Sequence, residues 1–150
     1  MTATDVQGLT RMDLMQTEII GKEPKYNDLT EKIIGYAFVV SNALGIGFLE
    51  KVYENALVYE LEKAGLKVVQ QKPIQIHYKG LLVGEYMADL LVEGKVLIEL
   101  KATRDFEDAF YAQCLNYLRA TGLEVCLLLN FGKPELQIKR VSSRPEWLRK

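Results

Sequence analysis

The stretch LLVGEYMADLLVEGKVLIELK, residues 81–101, decides the fold. Leu81 to Val92 and Lys95 to Lys101 are rich in Leu, Val and Ile, with Glu93-Gly94 between them, which reads as two antiparallel strands joined by a tight turn. Side chains alternate faces along a strand, so Glu99 and Lys101 share one face while Val96, Ile98 and Leu100 take the other. An acid and an amine are thereby presented side by side. Asp89 interrupts the apolar run of the preceding strand. A two-residue Glu93-Gly94 loop pairs Asp89 with Ile98 and turns it away from Glu99, whereas an odd-length loop or a bulge places both acids on one face. The expected register is the odd one, or a bulge.

Working outward, Val68–Gln71 and Ile74–Tyr78 are further β-rich runs, closed by Lys79-Gly80, so the whole segment reads as an antiparallel meander. Upstream, Asp28 followed by Glu31 has capping-box spacing, and Ile33, Ile34, Ala37, Phe38 and Val40 continue a helix to about Gly45. Gly45-Ile46-Gly47 breaks it, and Phe48 to about Lys63 keeps a helical repeat until Gly65. Downstream, Arg104–Ala120 returns to helical spacing and Gly122 stops it. Val125–Phe131 is a continuous apolar run typical of a buried strand, and Gly132-Lys133-Pro134 turns the chain into a last strand, Leu136–Val141. The predicted order is α-α-β-β-β-α-β-β. Residues 1–26 read as a loosely ordered arm, 27–141 as one folded domain, and 142–150 as a polar tail whose Trp147 suits packing on an apolar edge ahead of a partner contact.

With 150 residues, 49% of them hydrophobic, the chain suits one domain with a buried core. A net charge of -1 excludes a bulk polycation, so any nucleic-acid surface must be local. No apolar run approaches the roughly 18 residues of a membrane span, and no secretory signal is visible, so no membrane association is expected. Cys114 and Cys126 lack ligand spacing, which points to a reducing cytoplasm and away from zinc. The single histidine, His77, excludes multi-histidine metal centres and is assigned no role. Chemistry here must fall to carboxylates.

Two converging carboxylates, Asp89 and Glu99, hold a hard divalent cation through oxygen and leave positions for water and a phosphate oxygen. Magnesium fits oxygen ligands better than zinc does. Lys101 would then orient water or stabilise charge. Spacing alone favours a solvent-facing Glu99–Lys101 ion pair with Asp89 at a strand bend. Glu50 supplies a third carboxylate at the start of the second helix, with Tyr53 and Glu54 on the same side; by periodicity it is also an ordinary first-turn acid, and Tyr53 an ordinary core residue. Gln113 and Tyr117, one turn apart, offer an amide and a phenol to a phosphate or a metal shell.

Taken together, Gly47-x-x-Glu50-x-x-Tyr53, Asp89, Glu99-x-Lys101 and Gln113-x-x-x-Tyr117 resemble the small bacterial family named for its GxxExxY motif, within the PD-(D/E)XK nuclease superfamily. The resemblance covers residues 27 to 141. It implies an α/β (α+β) fold with a restriction-endonuclease-like αβββαβ core, a mixed central sheet flanked by helices, and an extra N-terminal helix. It implies Asp89, Glu99 and Lys101 as the catalytic set, Glu50 as a helical metal ligand beside Asp89 and Glu99, and Gln113, Tyr117 and Tyr53 in support. Magnesium or manganese is the implied cofactor, and hydrolysis of phosphodiester bonds in DNA the implied activity. Ala88 stands where the motif often has proline.

Residues 131–150 carry six basic against two acidic side chains, a net of +4 that leaves -5 elsewhere. Lys139 and Arg140 there, with Arg104 and Arg119 near the third helix, are the expected phosphate contacts. A noncatalytic nucleic-acid-binding module and a protein-interaction module are the alternatives on this fold. An exposed edge strand in the final hairpin offers a route to a homo-oligomer, and specificity could come from a protein partner.

Overall fold

A computed structural model describes residues 26–143. The expected N-terminal arm before Tyr26 and the tail from position 144 onward, Trp147 included, lie outside the described residues. Helices α1 (Asn27–Leu44) and α2 (Glu50–Lys63) precede strands β1 (Val68–Tyr78), β2 (Leu81–Val92) and β3 (Val96–Lys101). Helix α3 (Asp108–Thr121) then leads to β4 (Val125–Asn130) and β5 (Gln137–Ser142). The strands lie in sequence order in one five-stranded sheet, antiparallel throughout except for the β3–β4 pair. A parallel pair needs a crossover, and α3 is that crossover. The result is the mixed-sheet α+β architecture of the restriction-endonuclease-like core, with α1 as the extra helix and β5 as a final edge strand.

Period-two patterning sorts the sheet between two apolar clusters. Leu90, Val92, Val96, Ile98 and Leu100 pack with Ile33, Ala37, Leu57 and Leu61 of α1 and α2. Ala88, Leu97, Cys126 and Leu128 pack with Cys114, Tyr117 and Leu118 of α3. Strand β4 is buried at all six positions because helices cover both of its faces.

Three local expectations are corrected. Helix α1 starts two residues too early for the Asp28–Glu31 box: no side chain caps it, Tyr26 precedes it at φ 57°, and Asn27 Nδ2 donates to Glu31 Oε2 at 3.1 Å. The two runs before Tyr78 are one strand, in which Gln71 takes φ 54° and Pro73 is tolerated because β1 is an edge. Helix α3 begins at Asp108 and not near Arg104, and Asn130 holds the chain just before that stretch, at Thr103. Its Oδ1 accepts from the Thr103 and Gly132 amides at 2.9 and 3.0 Å. Its Nδ2 donates to Thr103 O at 3.0 Å and Gln137 Oε1 at 2.8 Å. Gly132 lies so close to this loop that a Cβ there would run into the Ala102–Thr103 backbone.

Candidate functional site

The β2–β3 turn sets the site. Glu93 and Gly94 both take positive φ, the Lys95 amide closes on Val92 O at 3.0 Å, and pairing resumes at Val92 with Val96. The loop therefore holds three residues, and Leu90 faces Ile98. One rung further, that register sets Asp89 opposite Glu99. On its other side Asp89 falls on the rung of Gln71, between the Gln70–Leu90 and Lys72–Ala88 pairs. Regular pairing lapses at Asp89 on both sides. Ala88 joins the cluster under α3 while Leu90 joins the opposite one, so the face alternation slips at this residue. The Asp89 carboxylate fills the gap: its Oδ2 accepts the Leu100 amide at 2.7 Å.

Asp89 opens onto a cavity of about 510 Å³ whose walls include Phe48, Leu49, Glu50, Glu54 and Gln71. The Gly45–Leu49 loop above it is held by Tyr53, whose hydroxyl donates to Gly45 O at 2.6 Å and accepts the Phe48 amide at 3.2 Å. Tyr53 is fully buried and stacks on Phe131 at 4.8 Å between centroids, so it belongs to the core and supports the loop from below. Glu54, a turn beyond Glu50, is 3% exposed. Its carboxylate receives Lys51 Nζ at 3.1 Å, Gln70 Nε2 at 2.8 Å and Gln71 Nε2 at 3.1 Å. Gln71 Nε2 also lies 3.5 Å from Asp89 Oδ1, so one amide links the two acids. Helical spacing places Glu54 beside Glu50, but nothing in the sequence marks it as buried, and Gln71 is not distinguished from any half-polar surface residue. Only a helix face meeting a strand rung reveals them.

Glu99 and Lys101 lie on the β3 face toward α3. Lys101 Nζ pairs with Glu99 Oε2 at 3.3 Å and sits 4.5 Å from the Phe110 ring centroid. This ion pair is not solvent-facing: Glu99 is 5% exposed, and its Oε1 is buried without a hydrogen-bond partner. Burial first, then the Asp89 charge, push the Glu99 carboxyl up to about 8, with Lys101 opposing. Burial likewise raises Asp89, against the Leu100 amide, and the Glu54 and Glu50 charges add to the rise. Gln113 Nε2 donates to the Tyr117 hydroxyl at 2.7 Å, which donates to Met87 O at 3.2 Å, tying α3 to β2 two residues before Asp89. Burial, then the Glu99 and Asp89 charges, keep that phenol protonated well above its usual range.

The structure thus brings Glu50 and Asp89 into one cavity and sets Glu99, paired with Lys101, across the rung from Asp89. The basic residues scatter. Arg104 is exposed before α3, Arg119 donates to Asn116 Oδ1 at 3.2 Å on the exposed face of α3, and Lys139 sits 5.4 Å from the Tyr111 ring centroid. Arg140 corrects the expectation of a phosphate contact: it is 2% exposed and its Nη1 faces Asn27 Oδ1 at 3.4 Å, so its charge is withdrawn into the fold.

A protein-family model matches residues 27–141, from the first residue of α1 to the penultimate residue of β5. The chain belongs to the PD-(D/E)XK nuclease superfamily. Solved structures similar to this PD-(D/E)XK domain include an alkaline exonuclease (LHK-Exo) from Laribacter hongkongensis, at 15% identity and TM-score 0.47 over 63% of this chain. Another is SSO0001, at 15% identity and TM-score 0.49 over 82% of this chain. The chain spans 56% and 62% of the length of those two. No curated protein matches it. No helix among the described residues is long and apolar enough to cross a membrane.

PD-(D/E)XK nucleases generally depend on a divalent metal. Among the described residues no group of three or more acidic, histidine or cysteine side chains is arranged to hold an ion by itself. The donors nonetheless fit one. Asp89 and Glu99 resist ionising together, Glu99 Oε1 has no donor, and among the described residues the ion pairs here are Lys51 with Glu54 and Lys101 with Glu99. A hard cation held between Asp89 and Glu99, completed by water and phosphate oxygens, relieves each of these deficits.

Proposed function

We propose that this protein is a magnesium- or manganese-dependent nuclease of the GxxExxY type that hydrolyses phosphodiester bonds in DNA, working in a reducing cytoplasm. One observation carries the reading: the three-residue turn sets Asp89 on the rung of Glu99, with Lys101 paired to Glu99 at 3.3 Å. Asp89 and Glu99 would hold the ion, with Glu50 reaching it from the cavity wall. When bound, such an ion polarises the phosphate and lowers the pKa of coordinated water.

The remaining work falls to the chain. Leu100 N and Gln71 Nε2 fix the Asp89 carboxylate before any ligand arrives, which removes reorganisation from the reaction. Lys101 keeps Glu99 partly compensated and offers its ammonium hydrogens to the oxygens that gain charge in the transition state. Phe110 and the apolar cluster under α3 screen that pair from water, so its electrostatic effect is strengthened. Gln113 and Tyr117 act as positioning residues that anchor β2 at Met87.

The test is magnesium and manganese titration by calorimetry on wild type and Asp89→Ala, with plasmid and single-strand cleavage on the same samples. Binding and cleavage that both vanish in the variant support the proposal. Binding of neither metal, or cleavage undiminished in Asp89→Ala, refutes it.

A further inference from the structure

Beyond the Asp89 rung the sheet narrows to a two-stranded arm: β3 pairs with β2 only over Leu90–Val92, while β1 follows β2 out to Leu81. Between this arm and α3 lies a second cavity of about 500 Å³. Gln75, His77 and Tyr86 line it from the arm, and Asn116 and Arg119 from the helix. Its character is unlike that of the first cavity, since Arg119 brings a positive charge and no carboxylate lines it among the described residues. Tyr86 is 55% exposed, and its ring lies 6.3 Å from that of Tyr117. Tyr117 in turn bonds Met87 O, on the β2 segment that runs from Tyr86 to Asp89.

We propose that this groove seats one unpaired nucleobase about three nucleotides from the scissile phosphate, making single-stranded or frayed DNA the preferred substrate; the inference rests on the nuclease reading of the neighbouring site. Three features argue for it. First, Tyr86 presents an aromatic face, Arg119 a planar cation, and Gln75 and Asn116 amides able to meet a base edge, which is the chemistry of base stacking on a charged groove. Second, Tyr86 precedes Asp89 by three residues, about 10 Å of strand, a length that nucleic acid rising about 3.4 Å per nucleotide covers in about three nucleotides. Third, a base inside a duplex has both faces covered by its neighbours, so only an unstacked base can lie on the Tyr86 ring. The Arg119 bond to Asn116 holds the guanidinium over the groove while leaving further donors for a phosphate.

The test uses the full chain carrying Asp89→Asn to block turnover, and a 2-aminopurine oligonucleotide offered single-stranded or in a blunt duplex. Stacking predicts fluorescence quenching with the single strand only. Adding Tyr86→Ala abolishes it and weakens binding roughly 5- to 150-fold, equivalent to about 1–3 kcal/mol per stacked base, while Tyr86→Phe retains it. Tyr86 and Arg119 are both exposed, so urea midpoints serve as the folding control and Arg119→Ala as a second variant with the same expected direction. Quenching in a protein whose Asp89-intact form cuts nothing upholds the groove and sinks the nuclease reading. Cleavage of single and double strands at equal rates without quenching sinks the groove and leaves the nuclease reading standing. Unaltered oligonucleotide binding by Tyr86→Ala, with a change in oligomeric state, also overturns the inference and makes the arm a protein contact.

Discussion

Neutralising Glu99 should make the metal-free protein more stable at high pH. The folded carboxyl titrates near 8 against 4.5 for a solvated glutamate, so the native state holds a proton that the unfolded chain releases. The native state therefore binds more protons across that window, and stability falls as pH rises from 4.5 toward 8. At about 1.4 kcal/mol per pH unit, the loss between pH 5 and 8 comes to about 3 to 4 kcal/mol. Glu99→Gln mimics the protonated acid and removes this dependence. Urea unfolding in EDTA at intervals between pH 5 and 8, wild type against Glu99→Gln, reads the Glu99 titration together with its coupling to Asp89 and Lys101. The variant should match wild type near pH 5 and exceed it by about 3 to 4 kcal/mol at pH 8. Magnesium or manganese should close the gap by binding the ionised wild-type carboxylate. A wild-type-to-variant difference that stays constant within about 1 kcal/mol from pH 5 to 8 would refute the assignment of a raised carboxyl at this site.

Gln71→Ala removes the amide shared by Glu54 and Asp89; calorimetry should show metal affinity falling roughly tenfold, while Gln71→Glu should do worse by adding a like charge to the pair. Lys101→Ala should lower cleavage at least about a hundredfold at unchanged fold and move the Glu99 titration further up, visible as a higher-pH onset of metal binding in calorimetry. Gly132→Ala places a methyl group against the Ala102–Thr103 backbone and should cost about 1–3 kcal/mol in urea unfolding, with the loop after Lys101 the first region to lose amide protection.

Much of the candidate site could be read from local pattern because its key elements are local. Asp89, Glu99 and Lys101 stand out as charges in apolar strands, and period two alone separates Glu99 and Lys101 from Ile98 and Leu100. The odd register was also within reach, since only two loop parities exist. Glu54, Gln71 and Asn130 were not, because each owes its importance to partners 16 or more residues away in sequence or to a backbone turn no side-chain pattern records. Arg140 misleads for the same reason: in sequence it looks like its neighbour Lys139, yet it is buried while Lys139 stays partly exposed.

What the amino-acid order determined by itself is the succession of helices and strands, the two apolar faces of the sheet and the identity of the charges that break them, all of which follow from periodicities of 3.6 and 2 and from turn residues. What only the tertiary structure decided is which carboxylates meet, how deeply Glu99 is buried, and which cations are left for a ligand. Those depend on desolvation and on contacts between elements far apart in the chain, and both come into being only when α2 and α3 close on opposite faces of the sheet.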